Sequence, residues 1–328
     1  MPVIRTPESR FAGLPDYPFA PNYLDVGGTA TPGLRMHYLD EGPRDGRVVL
    51  MLHGEPSWSY LYRHMIPPVV AAGCRVIAPD LIGFGKSDKL TRISDYSYQS
   101  HMDWLTALVE QLDLRDITVV GQDWGSLLGL RLAAEQEPRC AAIVIGNGML
   151  PTGDQPVPKA FRIWKHFALY SPWFPIGRIV ASGVRRKLPD GERAAYDAPF
   201  PSAQYKAGAR AFPRLVPVTP DDPASPANRT SLPVTRSRAM IPLAWPPTTT
   251  RSTCSRWPLT GSRWTSFGAT SVVLPSNETC RTTPGLRSAR AMPTVPDPQP
   301  RSRMRRRRSA RCFPRMPKAP KPHGSSRT

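Results

Sequence analysis

Gly121-Gln122-Asp123-Trp124-Gly125 is the stretch on which the reading of this 328-residue chain turns. It follows Ile117-Thr118-Val119-Val120, a short β-branched run of strand character, and precedes a Leu- and Ala-rich segment of helical character at residues 126–136. A Gly-x-nucleophile-x-Gly pattern between a strand and a helix predicts a cramped turn that pushes its middle side chain out over the end of a sheet. Here that side chain is a carboxylate, Asp123, and not a serine. A carboxylate does little for amide cleavage, because its acyl product would be a labile anhydride. It suits attack on an sp3 carbon bearing a leaving group, which yields an alkyl ester that water later opens. Five such residues on their own also fit an ordinary surface turn.

The flanking sequence decides between these readings. Val48–Leu52, Arg75–Pro79 and Ala141-Ala142-Ile143-Val144-Ile145 are short continuous apolar runs, the pattern of strands buried on both faces. Leu105, Leu108, Val109 and Leu112 fall at helical spacing and predict an amphipathic helix between the second and third strands. Residues 23–26 and 34–39 predict a leading antiparallel hairpin. The alternation implies a mainly parallel sheet with helices on both faces. Leu52-His53-Gly54-Glu55-Pro56 leaves the first of these strands at the same sheet end as the elbow. Backbone N–H groups of Glu55 and Trp124 would there meet an oxyanion together. With both motifs in this order the surface-turn reading falls away. From about Pro151 to Arg229 the pattern changes to aromatic, proline-broken helical segments such as Phe161-Arg162-Ile163-Trp164-Lys165-His166-Phe167, an insertion expected to lie over the strand ends.

A second break follows. The net charge of +19 is concentrated in residues 230–328, which hold 19 Lys/Arg against only Glu278 and Asp297. That segment contains 17 Arg, 15 Pro and 27 Ser or Thr without apolar periodicity, so it is expected to be irregular or disordered. Its basic run, Arg305-Arg306-Arg307-Arg308, would serve nucleic acid or an anionic membrane in a genuine extension, but such charge is more often merely solvated. Five scattered cysteines, Cys74, Cys140, Cys254, Cys280 and Cys312, lack metal-ligand spacing and point to a reducing, cytoplasmic setting. No apolar run reaches the length of about 18 residues that a membrane span needs, and residues 1–10 lack a signal-like apolar stretch.

His53-Gly54-Glu55-Pro56-Ser57-Trp58-Ser59-Tyr60-Leu61-Tyr62-Arg63, Pro79-Asp80-Leu81-Ile82-Gly83-Phe84-Gly85-Lys86-Ser87-Asp88 and Tyr196-Asp197-Ala198-Pro199-Phe200-Pro201 together resemble the haloalkane dehalogenases. The subgroup is the one with Glu after His-Gly and a tryptophan-lined halide site. The resemblance covers about residues 1–229 and implies an α/β-hydrolase fold. Residues 1–150 would form the N-terminal part of the core, 151–229 a helical cap, and 230–328 the anomalous tail. It implies hydrolysis of a haloalkane by water to a primary alcohol and halide, a detoxification that uses neither metal nor organic cofactor. By resemblance Asp123 is the nucleophile, and Glu55 and Trp124 supply backbone N–H groups to the oxyanion. Trp124 and Trp164 would donate indole N–H groups to the halide. The expected partners are the haloalkane and water, without membrane or nucleic acid, and the chain is expected to be a monomer.

The same resemblance requires a histidine base and an orienting acid between about residues 245 and 285, and neither is found. His323 is the only histidine of the tail. His53 belongs to the oxyanion loop, while His37, His64, His101 and His166 show no base-like context. Asn147 stands where a sister subgroup carries its acid, but as an amide. The resemblance ends abruptly after Arg229, and the composition beyond is that of a GC-rich gene read out of frame. A frameshift near that codon is therefore expected, with a step of ester hydrolysis left defective. An epoxide hydrolase, with Tyr170, Tyr196 or Tyr205 on the epoxide oxygen, and a non-catalytic relative of the fold are the other readings.

Overall fold

The computed structural model describes residues 2–237 together with two short strands, residues 239–243 and 270–274. In chain order the elements are β1 (Val3–Ile4), β2 (Asn22–Asp25), β3 (Arg35–Glu41), β4 (Val48–Leu52), α1 (Ile66–Ala71), β5 (Arg75–Pro79), β6 (Lys89–Leu90), α2 (Tyr98–Gln111), β7 (Ile117–Gln122), α3 (Trp124–Glu135) and β8 (Cys140–Gly146). Four helices follow, α4 (Lys159–Tyr170), α5 (Ile176–Ser182), α6 (Asp190–Asp197) and α7 (Ala207–Leu215), then α8 (Ser225–Ser237), β9 (Ala239–Leu243) and β10 (Thr270–Leu274).

The sheet runs β2-β3-β5-β4-β7-β8-β10-β9. Its centre, β5-β4-β7-β8, is parallel, as the continuous apolar runs require. The predicted hairpin is β2 and β3, and β3 lies antiparallel to β5. Every residue of β4 is buried. A Ser97–Ser100 capping box starts α2, which turns Leu105, Leu108 and Val109 fully inward. Helix α3 is buried on nearly all sides because the sheet, α2 and α8 surround it. The two-residue pair of β1 with β6, clamped by Arg5 on Asp88 at 2.7 Å, carries no pattern legible in the sequence.

The cap helices α4–α7 sit between β8 and α8 in the chain and share one apolar cluster with the core. Trp58 Nε1 donates to Ala195 O at 3.1 Å, and Thr6 Oγ1 donates to Pro199 O at 2.8 Å. Gly83 and Gly208 meet backbone to backbone: a Cβ on Gly83 would lie 3.0 Å from the Gly208 Cα, so only glycine lets α7 seat this closely.

Two observations differ from expectation. Helix α8 runs through Arg229 without interruption. Ser231 Oγ donates to Ala227 O at 3.0 Å, Ser231 and Thr235 are buried, and Leu232 packs on the core, so residues read as tail complete a helix against α3. Beyond it the tail is not wholly irregular, because β10 pairs antiparallel with both β8 and β9. The edge of β8 offers backbone donors and acceptors, and Thr270-Ser271-Val272-Val273-Leu274 is a β-branched run suited to take them. The disorder expected of the rest of 230–328, the missing base and acid, and Cys254, Cys280 and Cys312 lie outside the described residues. Neither Cys74 nor Cys140 forms a disulfide.

Candidate active site at the strand ends

Asp123 follows β7 and opens α3, with φ 52° and ψ −120°. A non-glycine residue in this region is strained, and here the strain falls on the residue that carries the chemistry. Its neighbours explain the glycines. A Cβ on Gly125 would meet Leu52 O at 1.9 Å, and one on Gly121 would meet Gly125 O at 2.5 Å. Gly54, from the loop after β4, would place a Cβ 2.4 Å from the Asp123 Cβ. The two motifs are thus interlocked by the absence of side chains.

The fold brings Glu55 and Trp124 to Asp123, as the sequence predicts. Glu55 N–H donates to Asp123 Oδ1 at 2.8 Å. Burial pushes the Asp123 carboxyl up to about 6, while the N–H groups of Glu55 and Trp124 pull it part of the way back. The Glu55 carboxyl is itself raised well above the ordinary range, by burial first and by the nearby Asp123 second, and its Oε1 is buried without a hydrogen-bond partner. Trp124 is buried, with Phe212 of α7 at 4.3 Å and Tyr98 of α2 at 5.4 Å between ring centroids. The ring next to the nucleophile is therefore packed between aromatics of core and cap.

Trp164 is not seen at Trp124. It lies half-buried on α4, with its ring against Phe167 at 5.8 Å and Phe174 at 5.9 Å. Phe212 is the cap aromatic in contact with the elbow, and sequence reading missed it. The Ala211-Phe212-Pro213 run, an aromatic beside an intrahelical proline, was the only signal.

The histidines are employed elsewhere. His53 Nδ1 faces Gly54 O at 3.0 Å and Nε2 accepts from Leu81 N–H at 3.0 Å, so both ring nitrogens serve the loop. His101 is buried among Tyr96, Trp104 and Phe212, and that burial lowers it to about 3. His37 pairs with Asp80 at 2.8 Å, His64 lies at the surface near Asp16, and His166 is exposed on α4 beside Tyr170. Among the described residues no imidazole nitrogen bonds Asp123. Asn147 is exposed at positive φ just past β8. Of the tyrosines considered for an epoxide, Tyr170 is exposed, Tyr196 is buried against Tyr60, and Tyr205 is half-buried at the edge of the core. None of them bonds the elbow. Among the described residues there is also no group of His, Cys, Asp and Glu that could hold a metal ion.

A carboxylate at a left-handed elbow, on a parallel sheet under a helical cap, defines an α/β hydrolase, and the family model described as the alpha/beta hydrolase fold matches residues 47–202. A haloalkane dehalogenase of Mycobacterium marinum is 59% identical over 229 residues, covering 70% of this chain and 77% of that relative. The haloalkane dehalogenase of Psychrobacter cryohalolentis is 56% identical over 229 residues, covering 70% of this chain and 76% of the relative. Among solved structures, the tetrameric haloalkane dehalogenase DpaA from Paraglaciecola agarilytica superposes with a TM-score of 0.69 at 40% identity, covering 72% of this chain and 78% of that one. The chain belongs to the haloalkane dehalogenase family, hydrolases of the carbon–halogen bond.

Proposed function

We propose that Asp123 attacks the halogen-bearing carbon of a haloalkane in line, forming an alkyl-aspartate ester and releasing halide. The observation that carries this reading is the Asp123 carboxyl itself, set at a strained elbow and held through Oδ1 by the Glu55 N–H, with the buried Trp124 next to it. One carboxylate oxygen forms the C–O bond as the C–X bond breaks and X takes the electron pair. Oδ1 becomes the ester carbonyl oxygen, and the Glu55 and Trp124 N–H groups then stand where a tetrahedral oxyanion would form. In this reading the Trp124 indole N–H, a donor only, solvates the departing halide, and Trp164 is the second halide donor.

Ester hydrolysis needs a base to deprotonate water, and the histidines of the described residues are occupied in packing, loop and surface contacts. The reaction of this chain therefore stops at, or strongly slows after, the ester. Incubation with 1,2-dibromoethane followed by intact-protein mass spectrometry tests it. One bromoethyl adduct per chain, mapped to Asp123, is expected, with halide release close to stoichiometric. Halide release over many turnovers would overturn the arrest, and no adduct together with no halide would overturn the role of Asp123.

A further inference from the structure

The cap segment between Asp154 and Asp190 carries charge of one sign. Between Asp154 and Asp190 the chain holds Lys159, Arg162, Lys165, Arg178, Arg185, Arg186 and Lys187 and not one acid. Of these, Arg186 is paired with Glu192, whereas Lys159, Arg162, Arg185 and Lys187 make no ion pair among the described residues. The same segment exposes large apolar side chains, Ile163 at 71%, Tyr170 at 70% and Trp173 at 59%.

These two features coincide on one helix. Lys159, Ile163, His166 and Tyr170 are spaced by four, three and four residues along α4, one above another on a single face, with Arg162 beside them. A shallow groove of about 500 Å3 runs along it, lined by Arg162, Ile163, His166, Phe167, Tyr170 and Ser171. Ser171 Oγ donates to Trp173 O at 2.6 Å and accepts from Trp173 N–H at 3.2 Å, which fixes the exposed indole at the end of the groove. Arg178 lies over that indole at 5.6 Å. Isolated exposed apolar residues need no explanation, but an aligned aromatic and aliphatic stripe bordered by unpaired cations has the composition of a helix that lies in a lipid headgroup layer.

We propose that this face of the cap docks on an anionic lipid surface. Ile163, Tyr170 and Trp173 enter the headgroup boundary, and Lys159, Arg162 and Arg178 meet the lipid phosphates. Docking is peripheral: no helix among the described residues is long and apolar enough to cross a membrane. A haloalkane is apolar and concentrates in a bilayer, so docking sets α4, the helix of Trp164, against a reservoir of substrate; this consequence alone rests on the reaction proposed above.

The basic tail would also hold to anionic vesicles, so the experiment varies the cap and keeps the tail. The full chain is sedimented with vesicles of phosphatidylcholine and with equimolar phosphatidylcholine and phosphatidylglycerol. Two variants are compared, I163S/Y170S/W173S and K159E/R162E/R178E, each checked for an unchanged circular dichroism spectrum. Binding to the phosphatidylglycerol vesicles alone is expected, reduced roughly fivefold for each cation removed and at least as strongly by the apolar set. A doxyl-lipid quenching signal lost in Trp173→Phe is the second expected readout, and it holds even if either triple variant fails to fold. Equal binding of the variants, equal binding to pure phosphatidylcholine, tight binding to duplex DNA with none to vesicles, or quenching indifferent to Trp173→Phe would each overturn the proposal.

Discussion

Two aspartates stand immediately after parallel strands on either side of β4, Asp80 after β5 and Asp123 after β7, and they have opposite characters. Asp80 accepts from His37 Nδ1, from Ser59 N–H and from Lys86 N–H, each at 2.8 Å. Burial alone would raise its carboxyl, but the His37 ring beside it and these donors outweigh that and hold it well below the usual range. Among the described residues Asp123 has backbone N–H donors and no ion pair, so burial prevails and pushes it up to about 6. The neighbouring imidazole and the additional donors, and not the residue type or its place on the sheet, separate a carboxylate that fixes a loop from one kept reactive.

Exchange of function should be asymmetric. Asp123→Asn removes the attacking oxygen and is expected to abolish ester formation, a loss of about 10⁴-fold or more, read as absence of the bromoethyl adduct with the fold intact. Asp80→Ala should leave the chemistry of Asp123 in place but strand His37 and the N–H groups of Ser59 and Lys86 in the interior. A loss of about 3–5 kcal/mol is expected, measured by urea unfolding. If Asp80→Ala were as stable as the parent, the assignment of Asp80 as a structural hub would be wrong.

The converse effect is smaller and of opposite sign. A carboxylate held at about 6 in the fold and at 3.8 when unfolded destabilises the native state at neutral pH. Asp123→Asn should therefore raise stability by about 1–3 kcal/mol at pH 7 and by less near pH 4. A fall in Tm on this substitution would show that the site is held together by the charge and does not merely tolerate it at a cost.

How far the sequence disclosed this pair follows from what each needs. Asp123 was legible because its turn forces Gly121 and Gly125 to have no side chain and because strand and helix signals flank it. Glu55 was legible through Gly54, whose missing Cβ lets the two loops interlock. Asp80 stands in a stretch that carries the family resemblance but has no signal of its own in the sequence. Its donors come from β3, from the loop after β4 and from its own loop, and a single sequence does not show which strands will be neighbours. Gly85 carried a hint, since a Cβ there would fall 2.0 Å from Asp80 Oδ2. Phe212 was missed for the same reason as the partners of Asp80: cap helices reach the elbow by tertiary packing, and an aromatic stripe in a helix does not say what it will face. The helical pattern ends at Arg229 in the sequence because the Ser, Thr and Arg beyond it carry no apolar period, while in the fold Ser231 and Thr235 satisfy their hydroxyls on the carbonyls of α8 itself.

The smallest effect is in pH, and it separates the two aspartates without any mutation. The raised Asp123 must lose its proton before it attacks, so the rate of ester formation should climb with pH through about 6 and level off, with the rate at pH 5 about tenfold below that at pH 7. Over the same interval Asp123 acts against the fold: the stability its protonated form gives is full below 3.8 and is lost as pH rises through about 6. The depressed Asp80 contributes in the other direction, with stability present above the ordinary aspartate range and lost only as pH falls below it. Moderate acid should therefore silence alkylation while the protein stays folded, and stronger acid should then unfold it. Coincident loss of alkylation and of near-UV circular dichroism on acidification would mean that the two carboxylates titrate as one system and that the contrast between them is not real. The like-charge repulsion falls on Glu55, while Asp123 is raised by burial. Glu55→Gln should therefore leave the alkylation midpoint near 6, and a midpoint moved down by this substitution would show that Glu55 is charged beside Asp123.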